Sequence, residues 1–164
     1  QNTQPVMVNK SIAEKAVMSA IKIMSRAGDL ADEDSDSFEQ VMQSFKLPKN
    51  DDDEIQHRRN EIRKCTLVAA EVPFETATMA LELMELLPEL AKKGNSNAAS
   101  DVGVAGLLAS AACKGALFNV QINLDSLPED MGSDLRSKIP EIQERSRLIS
   151  REIMDEVRAI IGSD

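Results

Sequence analysis

Asp34 stands where the sequence puts a carboxylate into an apolar series. Between Lys10 and Phe45, apolar or small side chains recur at positions 16, 20, 23, 27, 30, 38, 41 and 45. Steps of three and four predict one long helix, loosened at most at Gly28. Position 34 completes the series, four after Leu30 and four before Phe38, and an aspartate occupies it. Asp32 and Asp36 fall roughly 160° round a helix that turns about 100° per residue, so Asp34 is the member of this acidic group expected to face the core side. Burial and nearby like charge raise the pKa of a carboxyl group. A carboxyl tuned in that way can move protons near neutral pH. The alternative is a salt-bridged or rim-exposed aspartate.

Amide groups form the second set. Asn119 and Asn123 are four residues apart, so both emerge on one helix face, beside Phe118, Val120 and Ile122. Two amides there could read a polar heterocycle through paired donors and acceptors, and could equally satisfy helix ends in a core. Asn95, Ser100 and Asp101 mark the other end of the same stretch, and Ser and Asp are common helix caps. Glu71 precedes Pro73, and could point into a space opened by a kink or lie on the surface. His57 opens the run HRRNEIRK (57–64), a solvated face or a basic patch for an anionic tail. There is no HExxH, no credible metal-ligand spacing, no Walker loop and no Gly-rich dinucleotide fingerprint, so no metal site is expected.

The elements that position these groups read as helices throughout. Residues 1–9 look irregular. Pro48 ends the first helix, and Asn50 to Asp53 offer the N-cap of a second, from about Asp52 to Lys93, which Pro73 should kink or divide. Gly94 suits its C-terminus. Gly94–Leu124 is crowded with Gly, Ala and Ser and is expected to be the central helix, starting near Ser100. Small residues there let another backbone approach or leave room for a ligand. On it Asp101, Ala105, Leu108, Ala112, Ala116, Asn119 and Asn123 share helical spacing. After a loop at Asp125 to Gly132, a last helix from about Ser133 to Ile161 carries the stripe Ile139, Ile142, Ser146, Ile149, Ile153, Val157 and Ile160. That spacing suits an antiparallel bundle or an oligomer seam.

The totals agree with one all-α domain over residues 1–164, a bundle of long antiparallel helices. The 164 residues are 42% hydrophobic but only 2% aromatic, with no Trp or Tyr. A Leu, Ile, Val, Met and Ala core suits packed helices better than sheets. A net charge of −9 without aromatic platforms argues against a nucleic-acid partner. The uncharged run Val102 to Cys113 is too short to span a membrane. Cys65 and Cys113 lie in apolar contexts without CxxC, which fits reduced thiols in the cytosol. No signal peptide is visible, and a cytoplasmic location is expected.

The motifs AAEVPFETA (69–77), KGNSNAASDVGVAGLLASAACKGALFNVQINL (93–124) and DEDSDSF…KLPKN (32–50) together resemble the formiminotetrahydrofolate cyclodeaminase / methenyltetrahydrofolate cyclohydrolase family, over roughly residues 10 to 160. The resemblance implies an all-α homodimer with a folate site between helices near the subunit interface. It implies chemistry at the one-carbon unit bridging N5 and N10 of tetrahydrofolate, with no cofactor beyond that substrate. The cyclodeaminase closes 5-formiminotetrahydrofolate to the 5,10-methenyl form and expels ammonia; the cyclohydrolase hydrates the methenyl form to 10-formyltetrahydrofolate. Asp34 matches the second Asp of the family's Asp-x-Asp motif, the proposed catalytic acid/base. Gly94, Asn95, Ser100 and Asp101 match its Gly-Asn…Ser-Asp motif, and Phe118, Asn119, Val120, Ile122 and Asn123 its Phe-Asn-Val-x-Ile-Asn motif. Lys46 and Pro48 match a Lys-Leu-Pro-Lys turn. The substrate-binding set expected from motifs and spacing is Lys46, Glu71, Asn95, Ser100, Asp101, Asn119 and Asn123. The family's opening Pro-Gly-Gly-Gly-Ser segment has no counterpart, so the expectation is a fragment or an incomplete site. The leading reading is a cyclodeaminase; the alternatives are the cyclohydrolase and a catalytically inactive helical oligomerising protein on the same scaffold.

Overall fold

A computed structural model describes residues 4–162, with side chains from Ser11 onward. It contains four α-helices: α1 (Gln4–Ser44), α2 (Asp52–Lys93), α3 (Ala99–Asp125) and α4 (Ser133–Ile161), with a short 3-10 turn at Ser96–Ala98. No strand occurs among the described residues, so the chain is all-α.

Local chemistry explains most boundaries. The Asp51 carboxylate accepts from the Glu54 N–H at 2.8 Å, and the Glu54 carboxylate accepts from the Asn50 N–H at 2.8 Å. The first bond satisfies a donor that the first turn of α2 leaves free, and the second ties the residue before the cap to the same glutamate. At the far end Lys92 and Lys93 face the negative pole of the helix before Gly94 ends it. The reading of residues 1–9 as irregular needs correction from Gln4 on. Helix α1 already includes Pro5, a residue tolerated in a first turn because its missing N–H would have no partner there. Residues 1–3 lie outside the described residues. Pro73 does not divide α2, which continues through it and through Pro88.

Helix α2, not the small-residue helix α3, is the hub: it packs against α1, α3 and α4, whereas α3 packs on α2 and α4. Close approach on α3 goes to α4. A Cβ added at Gly106 would stand 2.8 Å from Ile153 Cγ2, and one at Gly103 would stand 3.3 Å from Val157 Cγ1. The α4 stripe is buried as its spacing requires, from Ile139 through Ile142, Ser146, Ile149 and Ile153 to Val157, with Ile160 half-buried. It faces its own chain and forms no seam. Two adjoining clusters make the core. One gathers Ala70, Ala77, Cys113, Val120, Leu124, Ile139 and Ile142; the other gathers Met84, Leu87, Val102, Ala109, Ile149, Ile153 and Val157. Each large side chain among them contributes about 1.5–3 kcal/mol by leaving water. Burial pushes the Cys113 thiol above its ordinary value, against a hydrogen bond with Ser146 that lowers it. Gly132, at φ 68, closes the turn into α4, where the Arg136 guanidinium donates to the carbonyls of Leu124, Leu127 and Met131.

The face of α1 departs from the expected row. Leu30, Ser37 and Ser44 are buried, with Ala16, Ile23 and Val41 half-buried, while positions 20, 27, 34, 38 and 45 are exposed. A second apolar row runs along the outside of α1 at alternating steps of four and three: Val17, Ile21, Met24, Gly28, Ala31, Ser35, Phe38, Met42 and Phe45. Phe38 is 63% exposed and Met24 72%. The predicted row mixed members of both.

By length and composition the stretch Ser96–Asp125 could cross a bilayer, which the run from Val102 to Cys113 alone could not. In the fold its inner side lies between α2 and α4.

Candidate functional site

Helices α1 and α3 both lie on α2 and leave an open cleft of about 320 Å³ between them. Its walls are Ala27, Leu30, Ala31 and Asp34 on α1 and Ala112, Ala116 and Asn119 on α3; its floor is Val72, Pro73 and Thr76 on α2. That volume lies at the lower end of the range for small-molecule sites. Most of the lining is apolar. The Thr76 hydroxyl donates to the Val72 carbonyl at 3.3 Å and is occupied. The Asp34 carboxylate and the Asn119 amide make no hydrogen bond or ion pair among the described residues. Two free polar side chains therefore face one apolar cleft from opposite walls.

Asp34 is exposed at the rim rather than turned into the core. The burial expected of it is not supplied by this chain, because the inward line of α1 runs through Leu30 and Ser37 on the adjacent row. Ser37, 3% exposed, donates its hydroxyl to the Asp34 carbonyl at 2.9 Å and steadies that turn of the helix.

Asn123 is accounted for differently. Pro73 has no N–H, so the carbonyl of Ala69 one turn earlier lacks its helical donor. Asn123 Nδ2 donates to that oxygen at 2.9 Å. Of the two readings open for this amide, the structure supports satisfaction of the backbone, and Asn123 does not line the cleft.

The remaining expected site residues do not join Asp34 and Asn119. Glu71 is exposed beside the floor but outside it, and Lys46 is exposed in the turn after α1. The Asn95 side chain accepts from the Asn97 N–H at 3.0 Å and caps the 3-10 turn. Ser100 and Asp101 are exposed in the first turn of α3. From Asp101 to Asn119 the helix rises roughly 27 Å at about 1.5 Å per residue, too far for one cleft to hold both ends.

Two latches that the sequence reading missed hold α1 on α2, one on either side of Asp34. Arg26 donates to both oxygens of Glu75, at 2.6 and 2.9 Å, and to both of Glu33 on its own helix, at 2.5 and 3.0 Å. These bonds push the Arg26 guanidinium above its ordinary value and hold both carboxylates below theirs. The pairs are largely solvent-exposed, so they set register more than they add stability. Beyond Asp34, Arg58 donates to the Phe45 carbonyl at 3.2 and 3.0 Å, and its guanidinium lies 5.5 Å from the centroid of the Phe45 ring. Within the run 57–64, read as a solvated face, Arg58 is thus a helix clasp. Each latch joins residues far apart in the chain, and no spacing rule reveals such pairs. Among the described residues no cluster of three or more His, Cys, Asp or Glu could hold a metal ion.

The sequence profile of the family described as Formiminotransferase-cyclodeaminase matches residues 6–139. Methenyltetrahydrofolate cyclohydrolase of Methylorubrum extorquens is 36% identical over 111 residues, covering 68% of this chain and 53% of that protein. Formimidoyltransferase-cyclodeaminase of Mus musculus is 34% identical over 102 residues, covering 62% of this chain and 19% of that protein. The crystal structure of formiminotetrahydrofolate cyclodeaminase from Thermotoga maritima shares the fold with a TM-score of 0.69 at 26% identity, covering 91% of this chain and 69% of that one. The chain spans about half the length of the first of these relatives and about a fifth of the second.

Proposed function

Because the chain belongs to the formiminotransferase-cyclodeaminase family, matched over residues 6–139, we propose that it acts on the one-carbon unit of a tetrahydrofolate derivative, with cyclodeaminase chemistry as the leading reaction. The observation that carries this reading is the pair of free polar groups, Asp34 and Asn119, facing one apolar cleft. Starting from the protonated amidine of 5-formiminotetrahydrofolate, N10 attacks the formimino carbon and the C–N10 bond forms. Asp34 takes the N10 proton and returns it to the exocyclic nitrogen. That nitrogen leaves as ammonia with the electron pair of its C–N bond, and the 5,10-methenyl cation remains. One carboxylate serves both transfers, and no cofactor beyond the folate takes part. Asn119 offers a donor and an acceptor to the pterin or amidine edge.

Hydration of the methenyl group, the cyclohydrolase reaction, is the second reading. It is favoured by the relative from Methylorubrum extorquens, a methenyltetrahydrofolate cyclohydrolase that aligns with 68% of the chain. Water adds to the methenyl carbon; Asp34 takes a proton from it and passes that proton to N5, the C–N5 bond breaks with its electron pair going to N5, and loss of the remaining hydroxyl proton to solvent leaves the 10-formyl group. Assaying one preparation with both substrates separates the two.

We further propose that the helices form an antiparallel bundle completed by a second copy of the chain. Besides the outer row of α1, α3 exposes Val104, Leu108, Ala111, Gly115, Phe118 and Ile122 at alternating steps of four and three. Phe118 and Ile122 are each 67% exposed. The two rows flank the cleft, so a copy seated on them would roof Asp34 and supply the burial this chain does not. Such a copy could also bring toward the ligand its own Asn95, Ser100 and Asp101, which lie far from the cleft within one chain. The unpaired thiols Cys65 and Cys113 fit a cytoplasmic location.

The test is Asp34→Asn in the full-length protein, following methenyl absorbance. Loss of the proton carrier should lower kcat about 10²–10⁴-fold with little change in KM. Undiminished turnover removes Asp34 from the role, and failure of the unaltered protein to bind any reduced folate leaves the inactive oligomerising scaffold as the reading.

A further inference from the structure

The Asn123–Ala69 bond and the cleft floor share one residue, Pro73. A proline inside a helix leaves the carbonyl four residues earlier without a donor. Ala69 is only 7% exposed, which keeps water from serving freely in place of that donor. A side chain from another helix, 54 positions on, meets the oxygen at 2.9 Å instead. The proline that creates this need is itself buried and forms the cleft floor between Val72 and Thr76, below Asp34 and Asn119. Its ring turns only C–H groups to the cleft, whereas most residue types would keep the helical hydrogen bond and need no asparagine.

We propose that Pro73 is the apolar platform on which the face of the flat heterocycle rests, and that Asn123 is a positioning residue that holds the platform's backbone and does not touch the ligand. The platform role rests on the folate reading above. The two asparagines of α3 divide the work. Asn119 keeps its amide free for the edge of the ligand, and Asn123, one turn later, engages the backbone of α2.

The test is a double-mutant cycle in the full-length protein, with Asn123→Ala made in the native and in the Pro73→Ala background. Alanine at 73 restores the N–H to the Ala69 carbonyl and favours the helix, so this background folds. In urea, Asn123→Ala should raise the unfolding equilibrium constant about tenfold when Pro73 is present, since a partly buried carbonyl then loses the donor that replaces its helical one. With Pro73→Ala it should change that constant less than about twofold. The KM for the reduced folate should follow the same pattern. Pro73→Ala raises it, Asn123→Ala raises it in the native background, and adding Asn123→Ala to Pro73→Ala raises it no further. Equal losses in both backgrounds, or no loss in either, overturn the positioning role. The urea cycle needs no folate, so it decides the Pro73–Asn123 coupling on its own. A native protein that turns over no reduced folate refutes the folate reading, and the platform role with it.

Discussion

Gly106→Ala puts the close approach of α3 and α4 to a quantitative test. The added Cβ would stand 2.8 Å from Ile153 Cγ2 and 3.2 Å from Cδ1, against about 4 Å for ordinary carbon contact. Ile153 is β-branched, 1% exposed and packed among Met84, Ile149 and Val157, so it has no free rotamer into which to retreat. Overpacking of this kind costs roughly 1–3 kcal/mol. Alanine in place of glycine inside a helix returns about 1 kcal/mol of propensity. The net expectation is a loss of about 0–2 kcal/mol, which for a chain of this size lowers Tm by up to roughly 8 °C. The control is Gly115→Ala on the same helix. Nothing in its own chain lies within 4 Å of the new Cβ, so only the propensity gain of about 1 kcal/mol should remain where no second copy covers this row of α3. Urea and thermal melts followed by circular dichroism give both values, and sedimentation run alongside keeps any change of oligomeric state apart. If Gly106→Ala instead shows the full propensity gain of about 1 kcal/mol, α3 and α4 do not approach closely and the packing role of the small residues is wrong.

Acid should loosen α1 before the rest of the bundle. Glu33 and Glu75 are both held below the ordinary glutamate value of 4.5 by hydrogen bonds from Arg26. A carboxylate depressed in the fold contributes stability above its unfolded pKa and loses it as pH falls through the folded value. Protection of the α1 amides, taken relative to their intrinsic exchange rate, should therefore fall below pH 4.5 and stay level above it, with Arg26→Met weakly protected at both; identical profiles for the two proteins would remove the latch. Oligomeric state tests the exposed rows. Sedimentation velocity should show a dimer for the native chain and a folded monomer for Phe118→Asp, because a carboxylate at the centre of an apolar seam must be desolvated. A native monomer at micromolar concentration refutes the roofed cleft.

Features set by short stretches of chain were legible beforehand. The Asp51 cap, the end of α2 at Gly94 and the span of α4 with its buried stripe depend on residues within a turn or two of one another. The α4 stripe was a single row, since its charged residues lie off that face, though its spacing left open whether its own chain or a second copy would cover it. Helix α1 offered two apolar rows, and its spacing could not say which one α2 would cover. The row chosen placed Asp34 inward, and the fold places it at a rim. Asp34 and Asn119 nonetheless both line the cleft, because it lies beside the buried line of each helix.

By itself the sequence determined the helices, their ends from the close of α1 onward, the periodic stripe of α4 and the motif residues that mark the family. Those follow from periodicity, capping and residue identity, which act over a few residues. Tertiary structure alone decided that Asp34 and Asn119 share a cleft while Ser100 and Asp101 lie roughly 27 Å away along α3. It also decided that Arg26 and Arg58 clasp α1 on either side of the carboxylate. The same holds for Asn123. Nothing near it in the chain says that its partner is the Ala69 carbonyl, because that carbonyl is free only through Pro73, and the two helices meet only once the core has formed.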